Sequence, residues 1–253
     1  MDVPSGVPPE LFSGAPHRLT MGLRPLDMRT WLDADPGHPQ MPLRRQLLSA
    51  RREEVFAHLP GSLPACEAVA ARVSGFTGRP LSGSDHPLVE AALQVRDDLC
   101  VLEQRDGRWL LTAAVVCFPS RWSLAEKMGR DVLAIHDPVP RYREVLGRPT
   151  EASFAAIAKQ VPRRRVNWTV LDDPTLFQPA APAGTRYVPD RDGYLRVERQ
   201  CLVPVGESIA FSIRTTVVPV GELDDHQVEA LLSSITQTPD DLAAYRGWSR
   251  EVQ

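Results

Sequence analysis

The run LCVLEQRDGRWLLTAAVVCF, residues 99–118, decides how this chain folds. Leu99 to Glu103 and Trp109 to Phe118 are β-rich, and Arg105-Asp106-Gly107-Arg108 lies between them. Asp-Gly between two such runs supplies the left-handed backbone of a tight hairpin turn. Pro119 ends the second run, since proline cannot donate to a ladder. Two further runs, Tyr194 to Val205 and Ser208 to Val220, are joined through Gly206-Glu207 as a second hairpin, and Arg165 to Leu171 is another strand. Helical spacing appears over 41–58, where Leu43, Leu47, Leu48, Val55 and Phe56 share a face, over 63–74, and from His86-Pro87 onward. Ser123-Leu124-Ala125-Glu126 matches a capping box opening a helix to about Leu133. A short helix is expected at 150–159, and Asp224 and Asp225 open a final one. Strands in hairpins with helices between and beyond them predict an α+β fold, a mainly antiparallel sheet of about five strands with flanking helices. Residues 1–40 read as an extended N-terminal arm and 41–253 as a single domain, with a long loop over 172–193.

Composition narrows the function classes. A chain of 253 residues with 43% hydrophobic content can bury a substantial core. Its net charge of −3 exerts no global pull on nucleic acid or anionic membrane. Met1 to Pro16 lacks a basic segment followed by an apolar run, and no stretch is apolar for the length of a bilayer crossing. A cytoplasmic location is therefore expected. Cys66, Cys100, Cys117 and Cys201 are scattered without a CxxC pair, which speaks against a zinc site or an iron–sulfur cluster. Of the 29 basic residues only Lys127 and Lys159 are lysines. Arginine presents a fixed fork of donors that suits carboxylates.

No phosphate-binding loop, dinucleotide fingerprint, nucleophile elbow or HExxH helix occurs. The histidines are then the best remaining carriers of chemistry. His17 and His38 fall in the arm, His58 at a helix end, His86 before Pro87 and His226 in a first helical turn. Only His136 stands between an amphipathic helix and a rigid Pro138-Val139-Pro140 loop. That position fixes the direction of the ring, as an axial metal ligand requires, and an acceptor for the second ring nitrogen would complete it. On spacing alone, a histidine that simply bonds a carbonyl in a tight turn is the commoner case.

Several blocks change that balance. Cys117-Phe118-Pro119-Ser120-Arg121-Trp122, Lys127-Met128-Gly129 and Ile135-His136-Asp137-Pro138-Val139-Pro140-Arg141-Tyr142 stand in order. Met21 to Leu26, Asp97 to Leu102, Arg165-Val166-Asn167-Trp168, Arg196 to Gln200 and Ile213-Arg214-Thr215 accompany them over roughly 20–220. Together they resemble the haem-dependent oxidative N-demethylase alpha-subunit family, also called the haem-dependent dimethylamine monooxygenase family. The resemblance implies a PAS-like α+β fold holding haem b, with a histidine as proximal iron ligand. It further implies oxygen activation, electrons from a separate flavin/iron–sulfur reductase subunit, and removal of an N-methyl group from a small amine. His136 is the one histidine inside a matching block and takes the ligand role. Two positions depart from the pattern: Cys201 replaces an expected threonine, and Thr216 an expected aromatic such as tyrosine.

The other site candidates have two readings each. Arg199 and Arg214, in strands, either bind haem propionates or pair with a structural acid such as Glu198; Arg121 beside Trp122 is placed to face the haem edge. Glu198 either orients an amine and relays a proton or forms an ion pair. Asn167 lines the pocket or satisfies its amide within the sheet. An amine monooxygenase using O2 is the leading function. A haem-based gas sensor or carrier, and a binding protein that kept the fold without haem, are its rivals; an oligomer is left open.

Overall fold

A computed structural model describes residues 4–15, 18–180 and 186–249; His17 lies outside them. In chain order the elements are β1 (Arg24–Pro25), α1 (Gln40–Ala50), α2 (Arg52–Val55), β2 (Phe56–His58), α3 (Leu63–Thr77) and α4 (Pro87–Ala92). The hairpin β3 (Asp98–Arg105) and β4 (Arg108–Val115) follows, then α5 (Leu124–Lys127), α6 (Val132–Ile135) and α7 (Tyr142–Ile157). β5 (Arg163–Leu171), β6 (Tyr194–Val205), β7 (Ser208–Pro219), α8 (Asp225–Thr236) and α9 (Asp240–Tyr245) complete the chain.

The strands form one sheet in the order β1-β5-β6-β7-β3-β4-β2, and every pairing is antiparallel. The α+β class holds, but the sheet has seven strands rather than about five. The two extra strands span only two and three residues, too short to impose an alternating pattern on the sequence. β1 comes from the N-terminal arm and pairs Arg24 with Arg164. β2 arises where the helical spacing of 41–58 fails, so that Phe56 pairs with Val115. Among the described residues no helix is long and apolar enough to cross a membrane.

Register assigns every strand residue to a face, because successive side chains alternate. Asn167 pairs with Glu198 and Glu198 with Thr215, while Arg165, Gln200, Ile213 and Asp98 share a second row on the same face. That first face carries Cys100, Leu102, Ala114, Leu202 and Ile209, packed with Leu124, Phe154 and Ile157 of α5 and α7. The second face carries Leu99, Val101, Cys201, Val203 and Ala210 against α1, α3 and α4, and Val170, Leu195, Val197 and Val218 against α8. A register shift at Val101/Leu102 places Leu102 opposite Leu111. The bulge leaves Leu111 free to bond the next segment: its N–H donates to Arg130 O and its carbonyl accepts from Gly129 N.

Those bonds interrupt the helix expected from Ser123 to Leu133. α5 stops at Lys127, Gly129 takes φ +74°, and α6 restarts after Asp131. Ser123 makes no side-chain cap; Asp131 caps α6 instead, accepting from Leu133 N and Ala134 N at 2.9 Å each. The helix expected at 150–159 begins earlier, at Tyr142, and carries Pro149 in its interior.

One fully buried ion pair ties the layers together. Arg44 Nη2 of α1 donates to Asp98 Oδ1 at 2.8 Å, and both side chains are sealed from solvent. Asp98 also accepts from Cys117 N (2.9 Å) and Phe118 N (3.0 Å). Removing either member leaves a buried charge unpaired, and removing Asp98 also orphans the two amides, whereas removing both side chains removes the charge. Asp98→Ala is therefore expected to cost about 3–5 kcal/mol. Arg44→Met with Asp98→Leu should cost clearly less than the sum of the two single changes, which urea denaturation of the four proteins will measure.

Candidate functional site

The site begins with the short turn that α6 provides. His136 caps its C-terminal end, with its N–H donating to Leu133 O at 3.0 Å. The ring turns back along the helix, so that Nδ1 lies 2.7 Å from Val132 O. A carbonyl can only accept; Nδ1 therefore carries the proton and Nε2 keeps its lone pair. Nε2 makes no hydrogen bond among the described residues. Lys127 Nζ donates to Ile135 O at 2.8 Å and closes the end of the same helix.

The Pro138-Val139-Pro140 loop then reverses the chain. Arg141 adopts φ +59°, and Tyr142 returns over His136 with ring centroids 4.3 Å apart and planes inclined by 9°. The tyrosine is itself held: its OH lies 3.2 Å from Thr150 Oγ1, on the residue that follows the interior Pro149. Burial is the main influence on the imidazole and pushes its pKa down to about 4. The Val132 carbonyl opposes that shift, while the charges of Arg165 and Lys127 add to it. His136 is thus a neutral imidazole with a fixed plane and one free nitrogen.

The first face of the sheet supplies the polar partners. Glu198 Oε2 accepts from Gln200 Nε2 at 3.0 Å and Asn167 Nδ2 at 3.4 Å. Its Oε1 lies 3.7 Å from Arg196 Nε, and Arg196 donates to Phe118 O (2.5 Å) and Leu176 O (3.2 Å). Thr215 Oγ1, across from Glu198, is buried without a hydrogen-bond partner. Arg121 pairs with Asp172, just past the end of β5. Asn167 and Glu198 are therefore brought to the face that α6 and α7 pack against.

Arg199 and Arg214 are not. They pair with each other in register on the second face. Arg199 donates to Trp31 O (2.9 Å) and Thr30 Oγ1 (3.1 Å), and Arg214 pairs with Asp97 at 3.3 Å. Arg214 thus has Asp97 rather than Glu198 as its acid, while Arg199 is held by neutral acceptors. Cys201 and Thr216 also lie on this second face; Thr216 Oγ1 accepts from Arg96 Nη2 at 3.2 Å. Neither departure from the family pattern touches the His136 side. The remaining described histidines stand elsewhere, His58 and His86 as a ring pair 4.8 Å apart near α4.

Sequence reasoning passed over Tyr142, Arg196 and Arg165. Strand alternation was the available signal: Arg196 has the parity of Glu198 and Arg165 that of Asn167, whereas Arg199 has the opposite parity. Among the described residues no group of three or more His, Cys, Asp or Glu side chains is arranged to hold a free metal ion. A lone axial histidine suits an iron whose other ligands come from a macrocycle.

An antiparallel α+β sheet covered on one face by helices that present a single neutral, ring-locked histidine defines the class. The family model for haem-dependent oxidative N-demethylase, alpha subunit-like, matches residues 76–252. The chain belongs to that family. The matched span contains α6, α7, the histidine and the whole polar face.

The low pKa has a direct consequence. Because the folded value lies below the ordinary 6.5, the stabilisation is complete above that value and is lost as pH falls through about 4. Histidine-selective nitrogen NMR of the ligand-free protein should show the His136 imidazole neutral, protonated on Nδ1, from pH 7 down to about 4. A midpoint near 6.5 or the Nε2–H tautomer would contradict this geometry.

Proposed function

We propose that His136 would hold the iron of haem b, bound in a PAS-like fold, and that the protein removes an N-methyl group from a small amine. The observation that carries this reading is the His136 ring itself. It is neutral and half-buried, it is fixed by Val132 O and Tyr142, and its Nε2 is unengaged among the described residues. The family match supports haem dependence and, by its alpha-subunit name, an enzyme of more than one subunit.

The residues fit the group in donor chemistry. A haem iron takes a neutral imidazole nitrogen, and the opposite nitrogen bonded to a backbone carbonyl sets tautomer and plane. When bound, the haem supplies oxygen activation, the part of the chemistry that amino acid side chains cannot perform. One oxygen atom enters a C–H bond of the N-methyl group; the carbinolamine then breaks its C–N bond to give the shortened amine and formaldehyde. The second oxygen leaves as water, taking two protons and two electrons. The electrons come from a separate flavin/iron–sulfur reductase subunit.

The protein's own residues position and protonate. Asn167 and Gln200 hold Oε2 of Glu198, which leaves Oε1 facing Arg196 as the atom that takes up and releases a proton. Arg196 is in turn fixed by the Phe118 carbonyl, so the carboxylate has a set orientation toward an amine. Glu198 is the catalytic acid–base group and Asn167 its positioning partner. Arg121, which pairs with Asp172, would help to hold the haem.

Purified full-length chain supplied with haem should show a Soret band that His136→Ala shifts or abolishes. With reductant, oxygen and a panel of methylated amines the parent should release formaldehyde, and Glu198→Gln should lower that rate by about 10²-fold or more while leaving the Soret band in place. Absence of a Soret band from the parent overturns the haem reading. Clean oxygen binding without formaldehyde from any amine turns the reading to a sensor or carrier.

A second expectation concerns the departures from the family pattern. Cys201→Thr restores the family residue in the core on the far face of the sheet and should leave both the Soret maximum and the formaldehyde rate within about twofold of the parent, since it shares no partner with His136 or Glu198 and distant sites act independently.

A further inference from the structure

Buried guanidinium groups in this protein have partners: Arg44 has Asp98, Arg196 has two carbonyls, Arg199 has Trp31 O, and Arg214 has Asp97. Arg165 differs. Among the described residues it makes no hydrogen bond and no ion pair, and its Nε is sealed from solvent without a partner. It stands in β5 opposite Gln200, on the face that carries Asn167 and Glu198. Burial pulls its pKa below the ordinary arginine range, and the acidic groups that bear on it are Tyr142 and Glu198. Its own charge bears on His136. Strand parity and these charge influences together put the guanidinium on the sheet face that α6 and α7 pack against.

Glu198 does not neutralise it. That carboxylate is taken by Gln200, Asn167 and Arg196. A guanidinium partly withdrawn from water without a counter-ion is unfavourable, so an arginine in this state is suited to an anion. Its planar fork matches a carboxylate through two parallel hydrogen bonds.

We propose that Arg165 is the counter-ion for a carboxylate of the ligand that His136 binds, namely a haem propionate. The proposal rests on the haem reading above. It also transfers the propionate role from Arg199 and Arg214, which the sheet turns to the opposite face, to an arginine that shares the histidine's side.

The test compares haem with haem dimethyl ester, in which both propionates are esterified and uncharged. Full-length parent and Arg165→Gln are titrated with each and followed through the Soret band, and both ligand-free proteins are melted. The parent should bind haem at least about tenfold more tightly than the ester, the factor expected for one charge-assisted hydrogen-bonded pair. Arg165→Gln should bind haem and ester equally, and its ligand-free form should melt no lower than the parent, because an unpartnered buried charge has been removed. Retention of the parent's preference by Arg165→Gln overturns the proposal. If that retention comes with a raised KM for a carboxylate-bearing amine alone, the anion is the substrate's. A lower melting temperature for ligand-free Arg165→Gln assigns Arg165 a structural role and also overturns it. A parent that takes up neither porphyrin removes the haem reading and this inference with it, whereas uptake of both with equal affinity removes only this inference.

Discussion

The Arg44–Asp98 pair is the constraint on which the arrangement of this protein depends. It joins α1, which packs on the second face, to the start of β3, whose Asp98 side chain belongs to the first. The carboxylate then holds Cys117 N and Phe118 N just past the end of β4. With that segment fixed, Phe118 O is in place for Arg196, and Arg196 for Glu198. A polar chain thus runs from the packing of the scaffold to the one carboxylate of the candidate site. Such an arrangement is costly to break at a single link, because each member left behind is buried. It also explains why the site's orientation is not left to flexible surface contacts.

The sheet acts as a partition. A side chain's parity in its strand decides which of two environments it enters, and adjacent residues go to opposite ones. Glu198 and Arg199 are neighbours in sequence and are separated by the sheet's thickness in function; so are Thr215 and Thr216. On the second face the polar groups serve packing: Arg214 meets Asp97, and Trp31 Nε1 donates to Ser212 Oγ at 3.2 Å. On the first face the apolar half is covered by α5 to α7, and the polar half is concentrated around Glu198. The outer carbonyls of β5 are closed as well, since Trp168 O accepts from Arg246 and Val170 O from Trp248 Nε1. An edge strand capped in this way is protected against pairing with another chain.

Much of this was legible in the sequence, and the failures share a cause. The two hairpins could be read because Asp106-Gly107 and Gly206-Glu207 interrupt long β-rich runs, and the α8 cap because Asp224 precedes an apolar helical stripe. β1 and β2 were not, since strands of two or three residues leave no period. The break at Gly129 was hidden because its cause is remote: the bulge at Thr112 sends Leu111's backbone groups outward to meet Gly129 and Arg130. His136 could be picked out by its Pro-flanked position, but its second ring partner could not, because a return to Val132 O depends on how α6 ends. Arg199 and Arg214 stand on the opposite face from Glu198, a separation from Arg165 and Arg196 that strand parity alone carries.

The broken helix is what gives the histidine its direction. A continuous helix from Leu124 would carry residue 136 about 18 Å along a single axis, with the ring's direction set only by its rotamer. Instead Gly129 and Asp131 are stitched to β4, α6 lasts four residues, and His136 falls at its end. There the unsatisfied carbonyls of the last turn are within reach of a side chain. Val132 O takes the imidazole proton and Ile135 O takes Lys127. The same two prolines that forbid a longer helix return Tyr142 onto the ring. A helix too short to be stable alone therefore does what a longer one would not: its orphan carbonyls fix one imidazole and leave Nε2 without a hydrogen-bond partner among the described residues.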